Sequence, residues 1–216
     1  MFKNLDKKKI WDSENIFYLK SDVTRISKLL YQYEIYKKIL KLPGDVVECG
    51  VFKGASLVRL LTFRENLENT FSRKIIGFDA FGKFPKASND KKTKKLILPF
   101  EKGISKNELE LYLNDKGFRN YELVKGDVRN TLPIFLRKSP EIKISLLHLD
   151  MDIYKPTKFV LSKIYDRIVR GGVILIDDYT AVPGSTRAID EFLKKNKKLK
   201  IKKLSFYKLP AFIIKD

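Results

Sequence analysis

The chain contains two apolar, strand-forming runs that each end in aspartates. Residues 142–149 are followed by Asp150 and Asp152, and residues 173–176 are followed by a pair of aspartates at 177–178. Apolar runs of this length, bounded by turn residues, are typical of strands buried on both faces of a sheet. Side chains at the carboxyl ends of such strands lie at the edge where open α/β sheets bind ligands. If the two strands are neighbours, their carboxylates therefore meet at one place.

Carboxylates that meet at contact distance need a positive counter-charge, because they cannot all stay ionised without one. We therefore expect a divalent cation or a cationic ligand between Asp150, Asp177 and Asp178. Ligand sets made only of oxygen favour Mg²⁺ or Mn²⁺ over zinc. The alternative is that these aspartates cap the helices that follow, and for Asp152 capping and ligation stay equally open. His148, the only histidine, is predicted to be a buried, hydrogen-bonded residue rather than a base.

A glycine-containing turn follows the first predicted strand, in the sequence D-V-V-E-C-G-V-F-K-G-A-S at residues 45–56. Glu48 closes that strand, and the turn from Gly50 to Gly54 opens a helix that is predicted to run to about Leu67. Glycine allows the backbone to approach a ligand closely. Free amides at the start of a helix suit an anionic group such as a carboxylate. The spacing matches neither the G-x-G-x-x-G dinucleotide motif nor a P-loop.

Two further strands also end in aspartate. Residues 74–78 precede Asp79, which is placed to hydrogen-bond ribose hydroxyls, with a cap as the alternative. Together with the turn at 45–56, this favours a cofactor that contains a nucleoside. Residues 121–125 precede Asp127, for which a contact to an adenine amino group and a helix cap remain equally open.

Strand and helix patterns alternate five times and are followed by a closing hairpin of residues 201–206 and 211–214. This order predicts an α/β fold with a doubly wound, Rossmann-like sheet that is mostly parallel and has a C-terminal antiparallel hairpin. We expect a single domain over residues 1–216. Residues 1–21 are interpreted as an arm packed on the domain, and a helix is predicted to run from Asp22 to Pro43–Gly44.

The irregular segment 80–104 is interpreted as a mobile lid over the cleft, because long loops in compact domains are usually functional or disordered. A capping box at Ser105 then predicts a helix that ends at Gly117.

The net charge of +19 comes mainly from lysines. It can reflect solvated faces, attraction of a phosphorylated small substrate, or nucleic-acid binding, in falling order of preference. The lone Cys49 is predicted to be a buried, inert thiol. The start of the chain has no apolar leader region, and no stretch reaches the roughly 20 apolar residues that span a bilayer, so a cytoplasmic protein is expected.

Five motifs together resemble the macrocin O-methyltransferase (TylF-type) family over about residues 40–195. They are V-E-C-G-V-F-K-G-A-S, G-F-D-A-F, L-H-L-D-M-D-I-Y-K-P-T, G-G-V-I-L-I-D-D-Y and P-G-S-T-R-A-I-D-E-F. Members of this family are magnesium-requiring enzymes of the class I methyltransferase fold, which methylate sugar hydroxyls with S-adenosylmethionine. The resemblance therefore implies that fold, that cofactor and Mg²⁺ (or Mn²⁺).

The resemblance also implies roles for particular residues. The methionine end of the cofactor is expected at the turn, the ribose hydroxyls at Asp79 and the adenine near Asp127. The full cofactor set implied is Glu48, Gly50, Val51, Ser56, Asp79, Ala80, Asp127 and Val128. The implied metal ligands are Asp150, Asp177 and Asp178, with Asp150 also the candidate proton acceptor.

The predicted function is O-methylation of a sugar hydroxyl, with a free, nucleotide-linked or natural-product-linked sugar as acceptor. The alternatives are methylation of another vicinal diol or a catechol, an RNA-binding methyltransferase, or a non-catalytic relative that only binds the cofactor. Nucleic acid and membrane are not the expected partners, and a homo-oligomer stays open.

Overall fold

A computed structural model describes residues 6–83 and 102–216 of the chain. Its seven strands form one sheet in the order β3-β2-β1-β4-β5-β7-β6, in which β7 runs antiparallel to both of its neighbours and the other pairs are parallel. The strands are β1 (Asp45–Cys49), β2 (Ile75–Asp79), β3 (Tyr121–Lys125), β4 (Ile144–Leu149), β5 (Ile168–Ile176), β6 (Ile201–Lys202) and β7 (Ala211–Ile214). The predicted doubly wound α/β sheet, mostly parallel with an antiparallel end, is confirmed.

The described residues form seven α-helices, and all but the first of them cover the two faces of this sheet. They are α1 (Lys7–Lys20), α2 (Thr24–Lys37), α3 (Ala55–Leu67), α4 (Lys106–Asp115), α5 (Val128–Lys138), α6 (Tyr154–Ile164) and α7 (Pro183–Lys195). One buried cluster joins α2, α3 and α4 to one face of the sheet, and a second joins α5, α6 and α7 to the other. Burying apolar side chains on both faces is what makes the central strands nearly continuous apolar runs.

The register of the central strands brings the predicted site residues together. Glu48 of β1 lies beside His148 of β4, and Leu149 lies beside Ile176 of β5. Successive side chains of a strand point to opposite faces. Glu48 and His148 therefore share the face that packs on α2 and α3, and Asp177, which directly follows β5, also meets α2.

Two buried arginines hydrogen-bond to the loops at the end of the sheet opposite to the predicted site residues. Arg73 donates to Glu68 (2.6 Å) and to Ser145 Oγ (2.6 Å). Its other donors reach the carbonyl oxygens of Ile39, Leu42 and Gly44. Arg64 donates in the same way to the carbonyl oxygens of Arg73, Asn120 and Arg119. Each guanidinium thus replaces backbone hydrogen bonds that these loops cannot make among themselves.

The predicted arm is a helix and is not packed on the domain. Asp6 caps it by accepting from the amide of Lys9 (2.8 Å), and none of the residues of α1 is buried. The apolar residues of this segment, such as Trp11 (64% exposed), follow no single face, so they do not anchor it on the sheet. Residues 1–5 lie outside the described part of the chain.

Several boundaries also differ from the predictions. The first strand of the C-terminal hairpin is only Ile201–Lys202, because the chain then turns away and the amide of Leu204 donates to Tyr31 OH (3.3 Å). Helix α2 ends at Lys37 rather than at Pro43–Gly44. The predicted N-cap at Ser105 is confirmed, since its side chain accepts from the amide of Glu108, and Gly117 follows the helix with a positive φ of 75°. Cys49 is buried as predicted, and burial raises the pKa of its thiol.

Among the described helices, none is both long and apolar enough to cross a lipid bilayer.

Gly50 is the point where the turn after β1 touches the turn after β4. Its φ is +97°, and a Cβ atom there would overlap the carbonyl oxygen of Asp150. We expect Gly50→Ala to lower the free energy of unfolding by about 2–4 kcal/mol, from the strained φ and the overlap together. Gly117→Ala is the matched control, because Gly117 also has a positive φ (+75°) but has no neighbour within 4 Å of the added Cβ. Urea unfolding measures the free energy of unfolding of both variants, and equal losses in Gly50→Ala and Gly117→Ala would contradict a role for the overlap with Asp150.

Candidate functional site

A cavity of about 760 Å³ lies at the carboxyl ends of the parallel strands. All of the predicted site residues except Glu48 line it. They are Gly50, Val51, Ser56, Asp79, Ala80, Asp127, Val128, Asp150, Asp177 and Asp178. Glu48 is fully buried beneath the turn that contributes Gly50 and Ser56. The residues selected from the sequence are therefore brought together at one cavity.

The aspartates that follow β4 and β5 form a carboxylate cluster, by which we mean Asp150, Asp152, Asp177 and Asp178. One ligand atom from each of Asp150, Asp152 and Asp178 lies within 4.8 Å of the others, and the same holds for His148, Asp150 and Asp177. The predicted meeting of the two strand ends is confirmed. The short separation follows from the register, because Asp150 and Asp177 each directly follow paired residues of adjacent strands.

Asp177 is held between two cationic groups. Its Oδ2 accepts from Lys28 Nζ of α2 at 2.5 Å, and its Oδ1 lies 3.4 Å from His148 Nε2. Burial opposes ionisation of this carboxyl, but the hydrogen bond from His148 and the charge of Lys28 outweigh burial and lower the pKa of Asp177 to about 2. Asp177 therefore carries a negative charge at neutral pH.

His148 bridges two carboxylates, with Nδ1 3.0 Å from Glu48 Oε1 and Nε2 3.4 Å from Asp177 Oδ1. Carboxylate oxygens accept hydrogen bonds, so only the doubly protonated ring can donate to both. Burial disfavours that cation, but the hydrogen bonds to Asp177 and Glu48 outweigh it and raise the pKa of His148 to about 10. The fully buried ring is thus a hydrogen-bonded residue, as predicted, and it has no free lone pair with which to act as a base.

The other carboxyl groups of the cluster resist ionisation. Burial and the charge of Asp177 raise the pKa of Asp178 to about 8, and Asp178 shares a hydrogen bond with Asp152. Burial and the same neighbour also raise the pKa of Asp150 well above its usual range. If all of these carboxyl groups were ionised, their negative charge would exceed the positive charge of Lys28 and His148, and a divalent cation would favour that ionised form.

The donor set fits a hard divalent cation, since it offers carboxylate oxygens from two loops at short mutual distances. The capping alternative is not supported for Asp152. The residue that caps α6 is Ile153, which makes no side-chain cap, and Asp152 itself has φ +60° and bonds to Asp178. Asp152 therefore belongs to the cluster.

The turn after β1 is closed by a carboxylate of the chain itself. Asp79 Oδ2 accepts from the amides of Val51 (2.8 Å) and Phe52 (3.0 Å), and its Oδ1 accepts from the amide of Phe81 (2.6 Å). Two of the amides that were expected to be free for a ligand thus donate to Asp79. Lone pairs remain on both oxygens of Asp79, so its assignment to ribose hydroxyls stays a prediction.

Glu48 fixes the other side of the turn. Its Oε1 accepts from Ser56 Oγ and faces His148, whereas its Oε2 is buried and has no hydrogen-bond partner in the described structure. An unsatisfied buried carboxylate oxygen is costly. The orphaned atom beside the turn fits a ligand that brings a hydrogen-bond donor, such as the amino group of an amino-acid-like cofactor.

Asp127 acts as a helix cap, which was one of its two predicted roles. It accepts from the amide of Arg129 (2.9 Å) and forms an ion pair with the Arg129 side chain (2.5 Å). The hydrogen bond from that side chain lowers the pKa of Asp127. Asp127 and Val128 also line the cavity, and their contact with an adenine stays a prediction.

Sequence reasoning missed the basic residues of the cavity, which include Arg25 and Lys28 of α2 and Arg59 of α3. Arg25 and Lys28 are three residues apart, which places them on one helix face. That spacing alone does not reveal that the face meets the carboxylate cluster.

The predicted lid falls largely on residues 84–101, which lie outside the described part of the chain. Its two ends are described. Lys83 and Lys102 form an antiparallel bridge, and the amide of Gly103 donates to the carbonyl of Gly82 (2.9 Å). Both described ends of the segment lie at the cavity, which is lined by Gly82, Lys83 and Gly103.

The sequence profile of the macrocin O-methyltransferase (TylF) family matches residues 25–204. Demethyldecarbamoylnovobiocin O-methyltransferase of Streptomyces niveus is 29% identical over 164 residues, which are 71% of this chain and 60% of that protein. Mycinamicin III 3''-O-methyltransferase of Micromonospora griseorubida is 27% identical over 163 residues, which are 70% of this chain and 61% of that protein. The chain thus spans about 60% of the length of the curated relatives that it matches.

Solved structures share the fold. Two structures of CalS11, described as a calicheamicin methyltransferase and as a TDP-rhamnose 3'-O-methyltransferase, superpose with TM-scores of 0.75 and 0.71 at 23% and 24% identity. The first comparison covers 99% of this chain and 95% of CalS11. The MycE methyltransferase, solved with Mg, SAH and mycinamycin VI, superposes with a TM-score of 0.50 at 15% identity over 84% of this chain and 47% of MycE. At these identities the likeness concerns the fold alone.

Proposed function

The chain belongs to the macrocin O-methyltransferase (TylF) family, and from that membership we propose that it transfers the methyl group of S-adenosylmethionine to a sugar hydroxyl in a magnesium-dependent reaction. The observation that carries this proposal is the carboxylate cluster at the rim of the cavity that also contains the Gly50 turn and Asp79. The names of the relatives support it, since they are O-methyltransferases of natural products, and CalS11 is described as acting on a nucleotide-linked rhamnose.

The cofactor is proposed to lie along the cavity from the turn to the start of α5. Glu48 and Ser56 hold its amino-acid end, where Glu48 Oε2 gains the donor that it lacks. Asp79 and Ala80 bind the ribose, and Asp127 with Val128 border the base. Burial of a ligand among these side chains excludes water from the reacting atoms and orients them.

The acceptor is proposed to bind at the carboxylate cluster. Asp150, Asp177 and Asp178 would hold the metal ion, as the family resemblance implies. When bound, the cofactor supplies an electrophilic methyl on a sulfonium, and the ion supplies positive charge that lowers the pKa of an acceptor hydroxyl.

Asp150 accepts the proton of that hydroxyl at a carboxylate oxygen. The acceptor hydroxyl oxygen would then take the methyl group that the bound cofactor supplies, giving a methyl ether, and the sulfonium would leave as a neutral thioether. Burial and the charge of Asp177 raise the pKa of Asp150, and a bound divalent ion would favour the ionised form that can accept a proton. His148 donates to Asp177 and keeps that carboxylate oriented toward the cavity.

The test is turnover with S-adenosylmethionine and a panel of acceptors that contains nucleotide-linked sugars, free sugars and a catechol. Mass spectrometry should show one added methyl group on a sugar hydroxyl. We expect EDTA to reduce this rate by at least about tenfold and added Mg²⁺ to restore it. Turnover that is unchanged in EDTA would contradict the metal assignment, and methylation of the catechol alone would contradict the acceptor class.

A further inference from the structure

Lys28 places a permanent positive charge inside the carboxylate cluster. Its ammonium nitrogen lies 2.5 Å from Asp177 Oδ2, and the two side chains are only 22% and 5% exposed. The contact joins residues 149 positions apart in the chain, so it depends on the packing of α2 against the end of β5. Within residues 6–83 and 102–216, no other lysine or arginine forms an ion pair with a cluster carboxylate.

The position of Lys28 conflicts with full access of a metal ion to Asp177. Both oxygens of this carboxylate already face a cation, Oδ2 the Lys28 ammonium and Oδ1 the His148 ring. A divalent ion bound to the same carboxylate would lie a few ångströms from the ammonium. At such a distance in a partly buried site, like charges repel by several times the thermal energy.

The other basic groups of the cavity do not have this relation to the cluster. Arg59 donates to Gln32 Oε1 at 3.2 Å, and Arg25 is exposed. Among the described lysines and arginines that line the cavity, Lys28 is therefore the one whose charge lies against a cluster carboxylate, on the side of Asp177 away from His148 Nε2.

We propose that Lys28 is an internal counter-cation of the carboxylate cluster and that it competes with the divalent metal ion for Asp177. The inference rests on the proposed function, because it takes the cluster to be a metal site. It adds that the metal-free cluster is already organised by a residue of α2, and that metal binding detaches this residue from Asp177. Lys28 thus weakens metal binding. It also stabilises the arrangement of the cluster carboxylates when no ion is bound.

The experiment measures metal affinity without turnover. Binding of Mn²⁺ to the full chain is followed by the loss of the electron paramagnetic resonance signal of free Mn²⁺, with Mg²⁺ added as a competitor. The chains compared are the wild type, Lys28→Met and Lys28→Gln. Lys37→Met is the matched control, because it removes the same charge from the same helix at a half-exposed lysine that pairs with Glu34 outside the cluster.

We expect Lys28→Met to bind Mn²⁺ at least about tenfold more tightly than the wild type, because the competing charge is removed. Lys28→Gln, which keeps a hydrogen-bond donor but no charge, should show the same gain and decides the matter if the methionine variant does not fold. Lys37→Met should bind like the wild type. Binding to Lys28→Met only, with none to the wild type, would also support competition.

Two results would overturn the proposal. Equal or weaker Mn²⁺ binding in both Lys28 variants, with a wild type that binds, would show that Lys28 does not compete, and the metal site of the proposed function would stand. Absence of binding in every chain would overturn the competition together with the metal site itself.

Discussion

Asp150→Asn is expected to lower the rate of methyl transfer by about 10³-fold, with the fold intact. Asparagine keeps the shape of the side chain but can neither accept the proton of the acceptor hydroxyl nor contribute a negative charge to the cluster. The loss should appear in the rate at saturating S-adenosylmethionine, because the role proposed for the Asp150 side chain is in the carboxylate cluster and not in holding the cofactor. The measurement is single-turnover methyl transfer followed by mass spectrometry.

The matched control is Asp115→Asn, an exposed aspartate at the end of α4. It makes the same chemical change far from the cavity and should leave the rate within about twofold of the wild type. Calorimetry of S-adenosylmethionine binding separates the two contributions. An Asp150→Asn variant that retains more than a tenth of the wild-type rate would exclude Asp150 as the proton acceptor.

Arg73→Met is expected to lower the free energy of unfolding by about 3–5 kcal/mol. The Arg73 side chain is 3% exposed and its partner Glu68 is 9% exposed, so the substitution leaves a buried carboxylate without its counter-charge. It also removes the donors from three loop carbonyl oxygens and from the Ser145 hydroxyl. Guanidinium chloride unfolding, followed by circular dichroism, measures the loss.

Lys74→Met is the control for this substitution, since Lys74 is the next residue and pairs with Glu122 at 3.5 Å in a setting where both side chains are more than 40% exposed. Exposed pairs of this kind contribute about 0–1 kcal/mol. Similar unfolding midpoints for the two variants would mean that the loop carbonyls find other donors when Arg73 is absent.

The sequence predicted the site residues whose positions follow directly from where the buried strands end. Apolar runs locate buried strands, and parallel strands end at one edge of a sheet. The convergence of Asp150 with Asp177 and Asp178 therefore follows from local pattern and topology, and the structure confirms it. The same reasoning correctly placed Asp79 and Asp127 at the cavity.

The parts that sequence reasoning missed depend on how a helix packs on the sheet. The pairing of Lys28 with Asp177 requires the rotation and position of α2, which a helical periodicity does not supply. Arg73 was overlooked because it lies between a loop and β2, where no periodic pattern marks burial. The orientation of Asp79 toward the amides of Val51 and Phe52 depends on the conformation of the turn, which the glycines permit but do not determine.

The shortness of β6 has a consequence for how copies of this protein meet one another. This strand has two residues, Ile201 and Lys202, and lies at one outer end of the sheet, with further lysines at 200 and 203. An outermost strand with unpaired amides and carbonyls is a template on which another chain can extend the sheet, and brevity together with lysine charge discourages this. Part of the large positive charge of the chain is therefore expected to discourage edge-to-edge aggregation at β6.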